Sequence, residues 1–290
     1  MKTEELPGFF RDADKASLTG QNATVRWNAV RLIGLLAGAV GGALNWRLGM
    51  IELWGLLALL GFAVALVAEV VLLVTQPQRD WYAGRALAES AKTLAWRFAV
   101  KADPFFEGLS ASDLRRIMRE RLAEVADKGK DRIRLSSDQL GVTPTMESVR
   151  AMPFAERRRI YIDDRIRDQR NWYASKADRC KRMGLTLQAA LIAGEVTAIV
   201  AAAVRAFGIL SIDLSGILAA IVASGAAWFG LRQYSSLASA YSVAAAELNL
   251  TIARLEDTEE LDWALAVADA EEAISREHTM WLASRTGAIA

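Results

Sequence analysis

Residues 53–74 are apolar throughout except for Glu69. A run of that length either spans a bilayer or lies inside a large soluble core, and a spanning helix needs about 20 such residues. A second run, residues 214–231, carries no charge. Two more stretches precede them. Residues 32–46 are short for a span, but Ala29 and Val30 extend them and Arg31 has a stem long enough to snorkel to the interface. Residues 183–204 are broken only by Glu195. The links 47–52 and 205–213 join the stretches in pairs. The pattern predicts an all-α integral membrane protein: two transmembrane helical hairpins (four spans) with cytoplasmic helical bundle and coiled-coil extensions. A buried helix of a soluble core competes with this reading for each stretch, more strongly for 32–46 and 183–204. Composition agrees with spans plus water-exposed parts: 53% of residues are apolar while 24% are charged.

Orientation follows from Lys and Arg near the spans. The segment 76–182 holds 24 Lys and Arg, whereas the hairpin tips carry only Arg47 and Arg205. Arg26 and Arg31 precede the first span and Arg232 follows the fourth. The N-terminus, middle and C-terminus are therefore expected in the cytoplasm of a cell whose inner (plasma) membrane holds the spans. No secretory signal is evident in the first 20 residues. Along the chain this gives an N-terminal cytoplasmic tail (1–28), a first hairpin unit with its trailing helix (29–105), a cytoplasmic helix and linker (106–152), a second hairpin unit with leading and trailing helices (153–256), and an acidic C-terminal helix (257–290).

The polar segments show helical periodicity. Leu87, Ala91, Leu94 and Phe98 form one stripe in a helix expected to continue the second span and to end at Asp103-Pro104. Ser112 is the expected cap of a helix with Leu114, Ile117, Met118, Leu122 and Val125 on its apolar face. Residues 128–145 read as a loop. Pro153 opens a long helix bearing Ile166, Tyr173, Ala177 and Cys180 on one side. Leu237, Tyr241, Ala244, Leu248 and Leu255 are heptad-like. Asp257 and Glu260 read as a capping box opening a last helix with Trp263, Val267, Ala270, Ile274 and Trp281 on one face. Residues 257–290 carry eight acids against Arg276 and Arg285, while the middle segment is basic. Either the two pack together, within or between subunits, or both are solvated faces.

Both halves repeat one plan with the same topology, which disfavours the inverted repeats of many transporters and favours assembly of copies into a ring. Small residues recur every four positions: Gly34, Gly38 and Gly42 in the first span, Gly194 and Ala198 in the third. Such stripes let helices approach closely in lipid. Glu195 falls about 18 Å along the third span, near mid-bilayer. It reads either as a pore-lining carboxylate or as a neutral carboxyl gluing helices, with Ser224 at similar depth as its partner. Glu69, nearer the cytoplasmic end, is within reach of Arg31. Trp81 suits an interfacial aromatic belt, and Trp172 suits helix packing.

Catalytic patterns are lacking. His278 and Cys180 do not form a metal cluster, and neither a P-loop nor a dinucleotide glycine fingerprint occurs. No strand pattern appears. An enzyme is not expected, nor a cofactor. Cys180 reads as a helix-packing residue, with a modestly reactive thiol as the rarer alternative. Asp163-Asp164 and Glu259-Glu260 read as solvated faces. Arg157-Arg158-Arg159 is too short a basic run for nucleic-acid binding and reads as an anionic-lipid contact or an orientation cue.

Two stretches of polar and aromatic helix stand beside the hairpins. One is Arg85-Ala86-Leu87-Ala88-Glu89-Ser90-Ala91-Lys92-Thr93-Leu94-Ala95-Trp96-Arg97-Phe98, followed by Asp103-Pro104-Phe105. The other is Asp168-Gln169-Arg170-Asn171-Trp172-Tyr173-Ala174-Ser175-Lys176-Ala177, just before a hairpin. Both stretches resemble the SLATT families, two-span membrane domains of bacterial conflict systems, and the resemblance covers roughly residues 20–255 as a tandem of two units. It implies a membrane effector that oligomerises and permeabilises the inner membrane when an upstream sensor, often a nucleotide-signalling partner, is triggered. It brings no catalytic residues. Trp96, Arg97, Trp172, Tyr173 and Lys176 match the motifs without an assigned role. The expected partners are the lipid bilayer, further copies of the chain and such a sensor. A constitutive channel or transport component, and a non-conducting scaffold that recruits partners through its cytoplasmic helices, are the alternatives.

Overall fold

The structure, a computed structural model, describes residues 1–44, 47–48, 51–129, 132–133, 141–208 and 214–286, without the side chains of 47, 48, 51 and 275–286. Trp46, most of the second link, and the side chains of His278 and Trp281 lie outside the described residues. The described chain is helical almost throughout: α1 (Gly8–Ala43), α2 (Leu53–Thr75), α3 (Pro77–Ala99), α4 (Ala111–Asp127), α5 (Pro144–Ala151), α6 (Phe154–Tyr161), α7 (Asp168–Ala206), α8 (Leu214–Arg232), α9 (Tyr234–Asp257) and α10 (Trp263–Thr286). A π turn, Ile162–Arg167, joins α6 and α7 into one continuous helix. One departure from the all-helical expectation is a minimal antiparallel ladder, Arg47↔Glu52 and Leu48↔Ile51, in the first link.

Three helical runs are long and apolar enough to cross a membrane: Leu53–Thr75, Phe154–Ala206 and Leu214–Asp257. The first apolar stretch lies in α1, which is not among them. The surfaces of the spans are apolar and bare. Leu59, Leu66, Leu73 and Ile199 are each about two-thirds exposed or more. Contiguous apolar surface of this extent demands lipid or protein against it.

The chain forms two compact bodies assembled from non-contiguous segments. One, the hairpin body, comprises residues 22–77 and 175–241; the other, the polar body, comprises 1–21, 78–174 and 242–290. Each takes segments from both halves of the sequence.

Helices α2 and α8 end in the same way. Gln76 (φ 44°) separates α2 from α3, and Gln233 (φ 49°) separates α8 from α9. The helix expected to continue unbroken from the second span is thus interrupted by one left-handed residue. Pro77 explains the first break, because it cannot supply a helical N–H and biases the residue before it away from the right-handed helix.

In the polar body, α3 stops with Lys101 in the left-handed region (φ 59°) and the Ala102 N–H donating to the Arg97 carbonyl at 2.9 Å. This is the six-to-one closure of a helix C-terminus. The cap of α4 is Ser110, not Ser112: Ser110 Oγ accepts from the Asp113 N–H at 3.1 Å. Ser112 instead lies inside the first turn. Leu114, Met118 and Leu122 are buried as the periodicity requires. Part of the expected loop 128–145 is the start of α5, capped by Thr143. Asp257 ends α9 rather than opening α10, which begins at Trp263. The apolar residues of α10 nevertheless face inward, Trp263, Val267, Ala270 and Ile274 all being buried. On α9, Ala244, Leu248 and Leu255 of the heptad pattern are buried together with Ile252.

Candidate functional site

The helical hairpin of α1 and α2 closes on glycine. A side chain on Gly61 would put its Cβ 2.6 Å from Gly38 N and 2.7 Å from Gly34 O, and one on Gly41 would reach Ala58 N and Trp54 O at 2.6 Å. Gly34 and Gly38 sit in this seam, and Gly42 faces open space. The seam advances by four and then three residues (34, 38, 41), so a strict spacing of four drifts off it. The complementary row on α2 is Ala58, Gly61 and Ala65. At the end of this hairpin nearer α3, Arg31 Nη1 meets Glu69 Oε2 at 2.6 Å, so Glu69 is half of an ion pair. Both groups are partly exposed. Substituting Glu69 by Gln is expected to lower stability by less than about 1 kcal/mol, measured by thermal unfolding in detergent micelles.

The second hairpin, α7 with α8, packs through Gly194 against Val222 and Gly225 against Leu191, each added Cβ coming within 2.8 Å of a side-chain methyl. Ala198 is half-buried further along α7. Glu195 follows Gly194 and is turned about 100° from it. It is exposed, as are Ile192, Val196 and Ile199 around it. Ser224 is half-buried beside the contact residue Gly225. Among the described residues Glu195 makes no hydrogen bond or ion pair, so the Glu195–Ser224 bond does not form within the chain. Gly194 takes the position facing α8, which leaves its neighbour Glu195 pointing away from it.

Of the motif residues, Trp96, Arg97, Trp172 and Tyr173 belong to the polar body, and Lys176 belongs to the hairpin body. Trp96 is fully buried, its ring edge-on to Tyr161 at 5.8 Å. Arg97 donates to the Ala268 carbonyl at 2.9 Å. The Arg85 guanidinium lies 5.7 Å over the Trp172 ring, so the two family-like stretches touch. Tyr173 is buried beside Trp172, and Lys176 is half-buried.

Packed with these stretches in the polar body is an ionic centre whose two charges lie far apart in the chain. Arg165, on the π turn, and Glu271, on α10, are both fully buried. Arg165 Nε and Nη2 donate to Glu271 Oε1 and Oε2 at 2.9 and 2.7 Å. Tyr161 Oη donates to Oε1 at 3.1 Å and Thr93 Oγ1 to Oε2 at 2.8 Å. Glu89 stands 3.9 Å from Arg165 Nη1. Burial works to lower the Arg165 guanidinium, but the Glu271 carboxylate, with Glu89, outweighs it and holds it above its ordinary value. Burial pushes the Tyr161 phenol up, and Glu271 adds to that. Lys92 is lowered by burial and then by the Arg165 charge. Asp14 is raised by burial.

The basic middle and the acidic C-terminal region therefore pack together within one chain. Arg157 is buried, donating to Met152 O and meeting Glu260 at 3.4 Å. Arg158 donates to Thr258 O, and Arg167 meets Glu256 at 3.1 Å. Two of the three arginines read as a lipid contact are thus engaged with protein, while Arg159 is exposed. Asp163 and Asp164 are exposed but not merely solvated: Asp163 pairs with Arg167, and Asp164 with the N-terminal ammonium of Met1 at 3.0 Å.

Long apolar helices paired into hairpins, with a polar helical body, define a helical membrane-protein class. The chain belongs to the SLATT family: residues 7–158 match the SMODS and SLOG-associating 2TM effector domain 3, and residues 161–281 match the SMODS and SLOG-associating 2TM effector domain 1. The two form a tandem, and SLATT domains are associated with effectors of bacterial conflict systems. No curated protein and no solved structure matches the chain. The boundary between the two matches, near residue 160, falls inside the polar body. The Arg165–Glu271 pair lies within the second match, and its Thr93 and Glu89 neighbours come from the first.

Proposed function

We propose that the chain is a membrane effector of a bacterial defence system that assembles as an oligomer in the inner membrane, with its termini cytoplasmic, and permeabilises that membrane. It crosses the bilayer four times and acts by assembly, not as an enzyme and without a cofactor. Its partners are the lipid, further copies of itself and an upstream sensor; nucleic acid is not among them.

The observation that carries this reading is the position of Glu195. It is exposed on the apolar face of α7, among Ile192, Val196 and Ile199, with no partner among the described residues of its own chain. A carboxylate near mid-bilayer costs about 2.5–3.5 kcal/mol or more unless protein or water receives it. Copies arranged around a shared axis bring the Glu195 carboxylates to a water-filled lumen and place the surrounding apolar surface against neighbours and lipid. The family's effector character supports the same reading.

The test in cells is overproduction of the chain in a bacterial host loaded with a membrane-potential dye. The wild type is expected to depolarise the membrane. Glu195→Gln, which keeps the hydrogen-bonding shape and loses the charge, is expected to depolarise it less, and Glu195→Ala least. Equal depolarisation by all three, at equal membrane levels, contradicts the role of Glu195.

A further inference from the structure

We propose that α10 is a strap latched onto the polar body by Glu271, and that its docking restrains the effector until it is released. The inference rests on the permeabilising function proposed above. Its basis is the way α10 is held. Besides the apolar face of Trp263, Val267 and Ile274, a set of directional polar contacts fixes it. Glu271 takes four hydrogen bonds, two from Arg165, one from Tyr161 and one from Thr93. The Ala268 carbonyl accepts from Arg97, and the Ala264 carbonyl from the Asp103 N–H at 3.4 Å. Trp263 Nε1 donates to the Val100 carbonyl at 2.9 Å.

All these partners lie on two elements. Thr93, Arg97, Val100 and Asp103 belong to α3 and the turn after it, which follow the second apolar stretch. Tyr161 and Arg165 belong to the helix that runs on, without a break, into the third apolar stretch and Glu195. The strap therefore fastens together the polar continuations of two apolar helices.

The chemistry of the latch suits release. A buried ion pair contributes no more to stability than a well-packed apolar pair of similar volume, but losing one partner of it is costly. Once α10 lifts, water can hydrate Arg165 and Glu271, whereas an apolar latch would expose surface that favours immediate reclosure. The π turn bears on the same centre. Such single turns recur at functional positions of helices, and here the turn carries Arg165, next to Tyr161, both bonded to one carboxylate. The latch side chains are contributed by both family domains, so α10 is one of the elements through which the second holds the first.

The experiment uses the full chain in liposomes, with Cys180→Ser as background. Two readouts are taken: amide hydrogen exchange over 263–286 and release of a trapped dye. Glu271→Gln is expected to raise both by about tenfold or more, since a neutral amide cannot satisfy a buried guanidinium. Cysteines at Asp103 and Ala264, joined by a short bis-maleimide, are expected to return both to or below the wild-type level, even with Glu271→Gln present. Treatment with a mono-maleimide should have no such effect. Faster exchange in α10 with unchanged dye release, or equal release from cross-linked and uncross-linked chains, overturns the strap alone. No release from any form, although Glu271→Gln loosens α10, overturns the permeabilising function and the restraint with it.

Discussion

Replacing Glu271 by Leu is expected to destabilise the polar body by about 3–5 kcal/mol, because it leaves the Arg165 guanidinium buried without its counter-charge. Both groups are fully buried, so solvent does not soften the loss. The carboxylate also holds Tyr161 and Thr93, whose hydroxyls lose their acceptor at the same time. The double variant Arg165→Met with Glu271→Leu is expected to recover most of that loss, since two apolar chains of similar volume replace the pair without orphaning a charge. Recovery should be incomplete until Tyr161→Phe removes the remaining buried hydroxyl. The measurement is a urea titration in detergent micelles. Tryptophan fluorescence is a suitable probe because Trp96 and Trp263 stand 5.8 and 5.7 Å from the Tyr161 ring. A single Glu271→Leu chain as stable as the wild type would contradict this description of the ionic centre.

Gly61→Leu is the second large effect. The added Cβ would lie within 2.7 Å of two backbone atoms of α1, and backbone cannot swing aside as a side-chain tip can. Overpacking of this kind costs about 1–3 kcal/mol or more, so the first hairpin should separate or its helices slide. Gly42→Leu is the control. Nothing lies within 4 Å of its added Cβ, and its effect should stay within about 0.5 kcal/mol. Thermal unfolding in detergent, followed by circular dichroism, distinguishes the two. Equal melting of the Gly61 and Gly42 variants would show that the α1–α2 seam is not formed as described.

What the sequence made legible was periodic. The apolar runs, the inward faces of α4 and α10, the long helix opened by Pro153 and the Arg31–Glu69 pair all follow from spacing and charge along one helix or between antiparallel neighbours. Errors arose where several residues satisfied one rule. Ser110 and Ser112 are both good caps, and only the backbone at Ser110 decides between them. Gly41 and Gly42 are adjacent, and a spacing of four chose the residue that faces away. Asp257 with Glu260 has the form of a capping box, yet α9 continues through Asp257. The Arg165–Glu271 centre had little local signal. One partner lies among many arginines and the other among many acids, 106 positions apart. One hint was available: Glu271 sits beside the apolar stripe of Val267, Ala270 and Ile274 on α10, where a solvated acid is out of place. The left-handed Gln76 was half-announced by Pro77, whereas Gln233 has no such marker.

Leakage of trapped dyes of graded size from liposomes, with wild type beside Glu195→Gln, tests the central claim most directly. The account predicts release by the wild type up to a size limit, and slower release with the limit retained in the variant. No release from well-inserted protein, wild type and Glu271→Gln alike, or release of all sizes alike, would contradict it.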